Sequence, residues 1–122
     1  MKAKILLAED DVSIGRMTMF KLKREGFEVT WFQNGQEALN EVKAIEPDLI
    51  LLDIMMPGLD GYQVYEALKE DPATESIPVI FLTAKGKTDD ILKGIALGVD
   101  DYIRKPFKPN ELVRRVKKTL YV

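Results

Sequence analysis

The chain contains no cysteine and no histidine. Without cysteine there is no disulfide framework, no thiolate metal site and no cysteine nucleophile. Without histidine the commonest general base is missing, and so is any phosphohistidine role. Long apolar runs are also lacking, and none approaches the roughly 20 residues that a membrane span needs. Nor does either sign of charge dominate. Lys and Arg number 18, Asp and Glu 20, and the net charge is -2. That balance makes no electrostatic case for nucleic acid. No direct nucleic-acid partner and no membrane partner are therefore expected. No glycine-rich dinucleotide fingerprint follows any apolar run. Gly86-Lys87-Thr88 mimics the end of a phosphate-binding P-loop, but position 81 is Phe where that motif needs Gly. The start, Met1 to Ala8, has a faint signal-peptide look. Its apolar run is too short and acids follow at once, so the cytoplasm is the expected compartment.

What is present is one domain's worth of chain. At 122 residues, with 46% hydrophobic residues, it is long enough for a core of its own and too short for two. The stretch Pro47-Asp48-Leu49-Ile50-Leu51-Leu52-Asp53 organises it. Four aliphatic residues without alternation suit a strand buried on both faces, as in the centre of a parallel sheet. Asp53 then stands at the carboxyl end of that strand, where ligands and chemistry collect in open α/β sheets. Ile5 to Ala8 reads as a first strand ending at Glu9-Asp10-Asp11, and Asp11 is placed to cap the helix that follows. That helix carries Ile14, Met17 and Leu22 and stops at Gly26. Phe27 to Phe32 is a second strand, broken by Asn34-Gly35. Ala38, Leu39, Val42 and Ile45 then mark a second helix that ends at Pro47. Asp60-Gly61 opens a third helix, with Val64, Ala67 and Leu68 inward, closed by Asp71-Pro72. Pro78 to Leu82 is a fourth strand ending at Thr83-Ala84. A fourth helix covers about Thr88 to Leu97, Tyr102-Ile103 anchors a fifth strand ending at Lys105-Pro106, and Leu112, Val113, Val116 and Leu120 mark the last helix. Five βα units imply a parallel sheet covered on both faces, of flavodoxin-like strand order 2-1-3-4-5.

Polar groups fall at four strand ends: Glu9 and Asp10, Asp53, Thr83, and Lys105. This topology brings those ends to one edge of the sheet. Capping accounts for Asp11 but not for Glu9 or Asp10. Crowded carboxylates need a compensating cation, and an all-oxygen set favours a hard ion such as Mg2+ (or Mn2+). A carboxylate can accept a phosphoryl group as an aspartyl phosphate. Such transfer is mostly positioning and charge neutralisation. Lys105 can place a point charge on phosphate oxygens, and Thr83 can donate a hydroxyl to them.

The constellation resembles the response-regulator receiver domain of two-component signalling. It is carried by Ile5 to Asp11, by Asp53-Ile54-Met55-Met56-Pro57-Gly58 with Asp60-Gly61, by Ile77 to Ala84, and by Gly98 to Phe107. The resemblance covers essentially all of residues 1–122. It implies that Asp53 accepts a phosphoryl group from a sensor histidine kinase or a histidine phosphotransfer protein. It implies a Mg2+ site on Glu9, Asp10, Asp53 and the backbone carbonyl of Met55. It also implies a switch pair, Thr83 and Tyr102, a phosphate-binding Lys105, and a cis Lys105-Pro106 peptide. Met55 and Lys85 flank the path of water to Asp53, and neither is suited to promote its attack, so slow loss of the phosphoryl group is expected. The output surface is expected on helix four, strand five and helix five. Its contact with a downstream protein or domain, or with a second copy on phosphorylation, would run through Ile91, Ile95 and Tyr102 beside the charges of Asp100, Asp101, Glu111 and Arg115. Two other readings compete. A haloacid-dehalogenase-type phosphatase needs Asp-x-Asp after its first strand, and here Glu9-Asp10-Asp11 stands there while position 55 is Met. A pseudo-receiver that only binds partners would lack some of the five side chains, and all are present.

Overall fold

A computed structural model describes residues 2–84 and 88–121. Its elements alternate without exception: β1 (Lys4–Ala8), α1 (Val12–Arg24), β2 (Glu28–Phe32), α2 (Gly35–Ile45), β3 (Leu49–Asp53), α3 (Gly61–Glu70), β4 (Val79–Ala84), α4 (Thr88–Leu97), β5 (Asp101–Lys105) and α5 (Pro109–Leu120). The five strands pair in parallel in the order β2-β1-β3-β4-β5, as the sequence implied. β3 is buried along its whole length, which explains its unbroken aliphatic composition.

Side chains alternate across the sheet and divide the core in two. Leu6, Ala8, Ile50, Leu52, Val79 and Phe81 face α2 and α3. Ile5, Leu7, Leu49, Leu51, Ile80, Leu82 and Ile103 face α1 and α5. Tyr62 and Tyr65 meet the Phe81 ring edge-on at 5.6 and 5.4 Å, which seats α3 on the first face.

Helix starts follow the sequence signals. The Asp11 side chain accepts from Ile14 N at 2.9 Å and Asn34 from Glu37 N at 2.8 Å. Asp60 and Gln63 cap each other reciprocally at the start of α3. α2 ends at Glu46, which holds a left-handed conformation with φ 52°. The phase of α1 differs from expectation. The buried stripe of α1 is Gly15, Thr18 and Leu22, and Met17 is exposed. A 3.6-residue period leaves Met17 one position beside the stripe, and the indole of Trp31 occupies the space over Gly15.

Candidate functional site

The carboxyl ends of β1, β3, β4 and β5 meet at one edge of the sheet. Alternation puts Glu9, Asp53 and Lys105 on the α1–α5 face, in step with Leu7, Leu51 and Ile103. Thr83 and Tyr102 fall on the other face, with Phe81. Tyr102 lies directly across from Phe81 in the β4–β5 register, so Thr83 and Tyr102 are diagonal neighbours.

Asp53 is 3% exposed and Glu9 wholly buried, while Asp10 is open to solvent. One oxygen from each of the three carboxylates lies within 4.8 Å of the others. Lys105 Nζ stands 2.5 Å from Glu9 Oε1 and 3.0 Å from Asp53 Oδ2. β5 is two strands from β3, about 10 Å at ordinary strand spacing, so only a long side chain reaches. The Lys105-Pro106 peptide is cis. Asp53 Oδ1 accepts from Met55 N at 3.2 Å, while the Met55 side chain is 60% exposed beside the site. Thr83 is buried, with one long hydrogen bond from its hydroxyl to Ala84 O at 3.4 Å. Gly61 sits hard against the strand end, since a Cβ there would fall 2.6 Å from the Asp53 carbonyl oxygen. Glycine at that position therefore lets α3 begin directly on the strand. Lys85 and the residues after it to 87 lie outside the described residues, as does the side chain of Thr88, so the expectation placed on Lys85 has no structural counterpart.

The electrostatics follow from burial. Taking the Asp53 carboxyl out of water is the largest of the effects that together raise it from 3.8 to about 8. The hydrogen bond and negative charge of Glu9 push the same way, and the Lys105 ammonium opposes them. Burial works against the Lys105 charge, but Glu9 and Asp53 outweigh it and hold the ammonium above its ordinary value. With all three carboxylates ionised, one ammonium leaves two negative charges uncompensated. The buried Glu9 Oε1 faces that ammonium but has no hydrogen-bond partner among the described residues. A hard divalent cation matches both the charge deficit and the all-oxygen donor set, so the residues fit Mg2+.

The expected output charges are present but already engaged within the chain. Arg115 Nη1 pairs with Asp101 Oδ1 at 2.8 Å and donates to Tyr102 O at 3.0 Å, and its Nε lies 3.4 Å from Glu111 Oε1. The Asp100 carboxylate accepts from Val79 N at 2.8 Å. Ile91 departs from expectation: it is 6% exposed and cannot form part of a contact surface. Leu92, which the helical pattern had not singled out, is 59% exposed beside Ile95 at 58%. Among the described residues, no helix is long and apolar enough to cross a membrane.

A family model described as the response regulator receiver domain matches residues 5–117. The DNA-binding response regulator MtrA of Mycolicibacterium paratuberculosis is 43% identical over 120 residues, 98% of this chain and 52% of that protein. The phosphate regulon transcriptional regulatory protein PhoB of Escherichia coli K12 is 44% identical over 117 residues, 96% of this chain and 51% of that protein. The chain thus spans about half the length of the curated relatives it matches. MtrA is described as DNA-binding, so the charge balance of this segment says nothing of nucleic-acid contacts in such longer regulators. Among solved structures, the chemotaxis protein CheY4 of Vibrio cholerae superposes with a TM-score of 0.91 at 28% identity, covering 98% of this chain and 100% of that one. The alternating βα fold, the acids gathered at its strand ends and the match over almost the whole length agree: the chain belongs to the response-regulator receiver domain family.

Proposed function

We propose that residues 1–122 form one cytoplasmic receiver domain that takes a phosphoryl group onto Asp53 in a Mg2+-dependent reaction. The donor is a phosphohistidine on a sensor histidine kinase or phosphotransfer protein. One observation carries the reading: a buried carboxylate ends the central strand, gathered with Glu9 and Asp10 and touched by the Lys105 ammonium. A side-chain oxygen of Asp53 forms the new O–P bond as the donor's P–N bond breaks, and that electron pair returns to the imidazole. Glu9, Asp10, Asp53 and the Met55 carbonyl would hold the cation, which supplies positive charge to the phosphoryl oxygens. Lys105 is within reach of the same oxygens as a second point charge. The bound anion then offers Thr83 a stronger acceptor than the long bond to Ala84 O. A Thr83 drawn toward it vacates space for Tyr102 on the same face of the sheet. The surface of α4, β5 and α5 shifts between two existing states as a result. It presents Leu92 and Ile95 to an output protein or domain, or to a second copy of the chain.

Intact-mass analysis after acetyl phosphate treatment tests the assignment. One added phosphoryl group is expected with Mg2+ and none with EDTA. Full labelling of Asp53→Ala would sink it.

A further inference from the structure

Trp31 is the sole tryptophan of the chain. It stands opposite Leu7 in the β1–β2 register, so alternation puts its side chain on the α1 face, the face of Glu9, Asp53 and Lys105. Its indole Nε1–H donates to the Glu9 carbonyl at 2.9 Å. The Glu9 N–H donates to Phe32 O at 3.0 Å. Glu9 follows the last residue of β1, where the ladder stops and its buried main-chain groups need other partners. β2 supplies both, one from its backbone and one from this ring. The ring's seat is provided by α1, because a Cβ on Gly15 would fall 2.2 Å from Trp31 Cζ2. Glycine inside a helix costs about 1 kcal/mol relative to alanine, so α1 gives up helix propensity to admit the indole. With its main chain fixed at both ends, Glu9 extends a carboxylate whose Oε2 accepts from the Asp11 N–H at 3.1 Å and whose Oε1 faces the Lys105 ammonium.

We propose that Trp31 is a positioning residue for the acid cluster. By holding the Glu9 carbonyl it fixes how the Glu9 carboxylate joins Asp10 and Asp53, and so sets the affinity of the group for a divalent cation. The proposal rests on the metal-dependent reading given above. A phenylalanine at position 31 would fill most of the same space without the N–H, so Trp31→Phe separates packing from positioning. Partners that orient metal ligands typically contribute 10–100-fold in affinity. Calorimetric titration of the unphosphorylated variant with Mg2+ should give a Kd raised by about 10-fold. Acetyl phosphate labelling should slow at low Mg2+ and recover at saturating Mg2+. An unchanged Kd would overturn the proposal, and so would a labelling defect that saturating Mg2+ does not restore. Should Trp31→Phe fail to fold, the wild-type protein carries the test through Trp31 emission. That emission should shift saturably with Mg2+, with the calorimetric Kd, and return with EDTA. No shift would overturn the proposal. A wild-type protein that takes up no Mg2+ overturns this inference together with the functional reading. Full labelling of Asp53→Ala overturns the functional reading alone.

Discussion

In the proposed reaction Asp53 meets two demands that oppose each other: it must be dry enough to react, yet ionised to do so. A carboxyl raised from 3.8 to about 8 binds its proton more tightly in the folded chain than in the unfolded one. Between those two values the folded state keeps a proton that the unfolded state has released. Stability therefore falls as pH rises through this window, at a slope of at most about 1.4 kcal/mol per pH unit. Below the window the contribution is fully present, and above about 8 it is lost. Asp53→Asn removes the titration. In EDTA, denaturant unfolding should show the Asn variant gaining on its parent as pH is raised from 5 to 8.5, and parallel pH profiles would contradict this. At neutral pH a cation entering the group displaces that proton, so Mg2+ uptake should release protons, measurable in buffers of differing ionisation enthalpy.

At the scale of elements, the sequence signals worked where a single residue type has one job. Asp11 and Asp60 were legible as helix starts because their side chains cap locally, whereas Asn34, read only as a strand break, also caps α2. The acid cluster was legible because each member sits at a strand end, and strand ends converge in this topology. Helix faces were less so. Met17 and Ile91 were both assigned to the wrong side, because a 3.6-residue period lets neighbouring apolar positions compete for one stripe. Tertiary neighbours decide between them: Trp31 claims Gly15 on α1, and α4 turns Leu92 rather than Ile91 to solvent. The role of Trp31 was out of reach, since it depends on the Glu9 carbonyl just past β1, 22 residues away in sequence. The end of α2 offers a direct test of local backbone energetics. Glu46 adopts a left-handed conformation that costs a non-glycine residue roughly 1–2 kcal/mol. Part of that is returned by the greater unfolded-state freedom of glycine. Glu46→Gly should stabilise the protein by about 0.5–1 kcal/mol, read as a higher denaturation midpoint with an unchanged slope.

For the whole molecule, the question is how far an event at Asp53 is felt. Amide hydrogen exchange with and without beryllofluoride, which mimics the phosphoryl group, should show changed protection in α4 and β5 as well as in the loops after β1 and β3. Changes confined to those loops, with none between residues 88 and 115, would remove the output surface from the reading. The reach of Lys105 has a mechanical side. β5 is an edge strand, hydrogen-bonded to β4 alone. Yet its last residue is moored by one ammonium to Asp53 at the end of the central strand β3 and to Glu9 just past the end of β1. Lys105 thus acts as a strut across the top of the sheet, bypassing β4. Any redistribution of charge at its far end loads or slackens the rim of the molecule directly, and Tyr102 and Arg104 are carried on that same short strand.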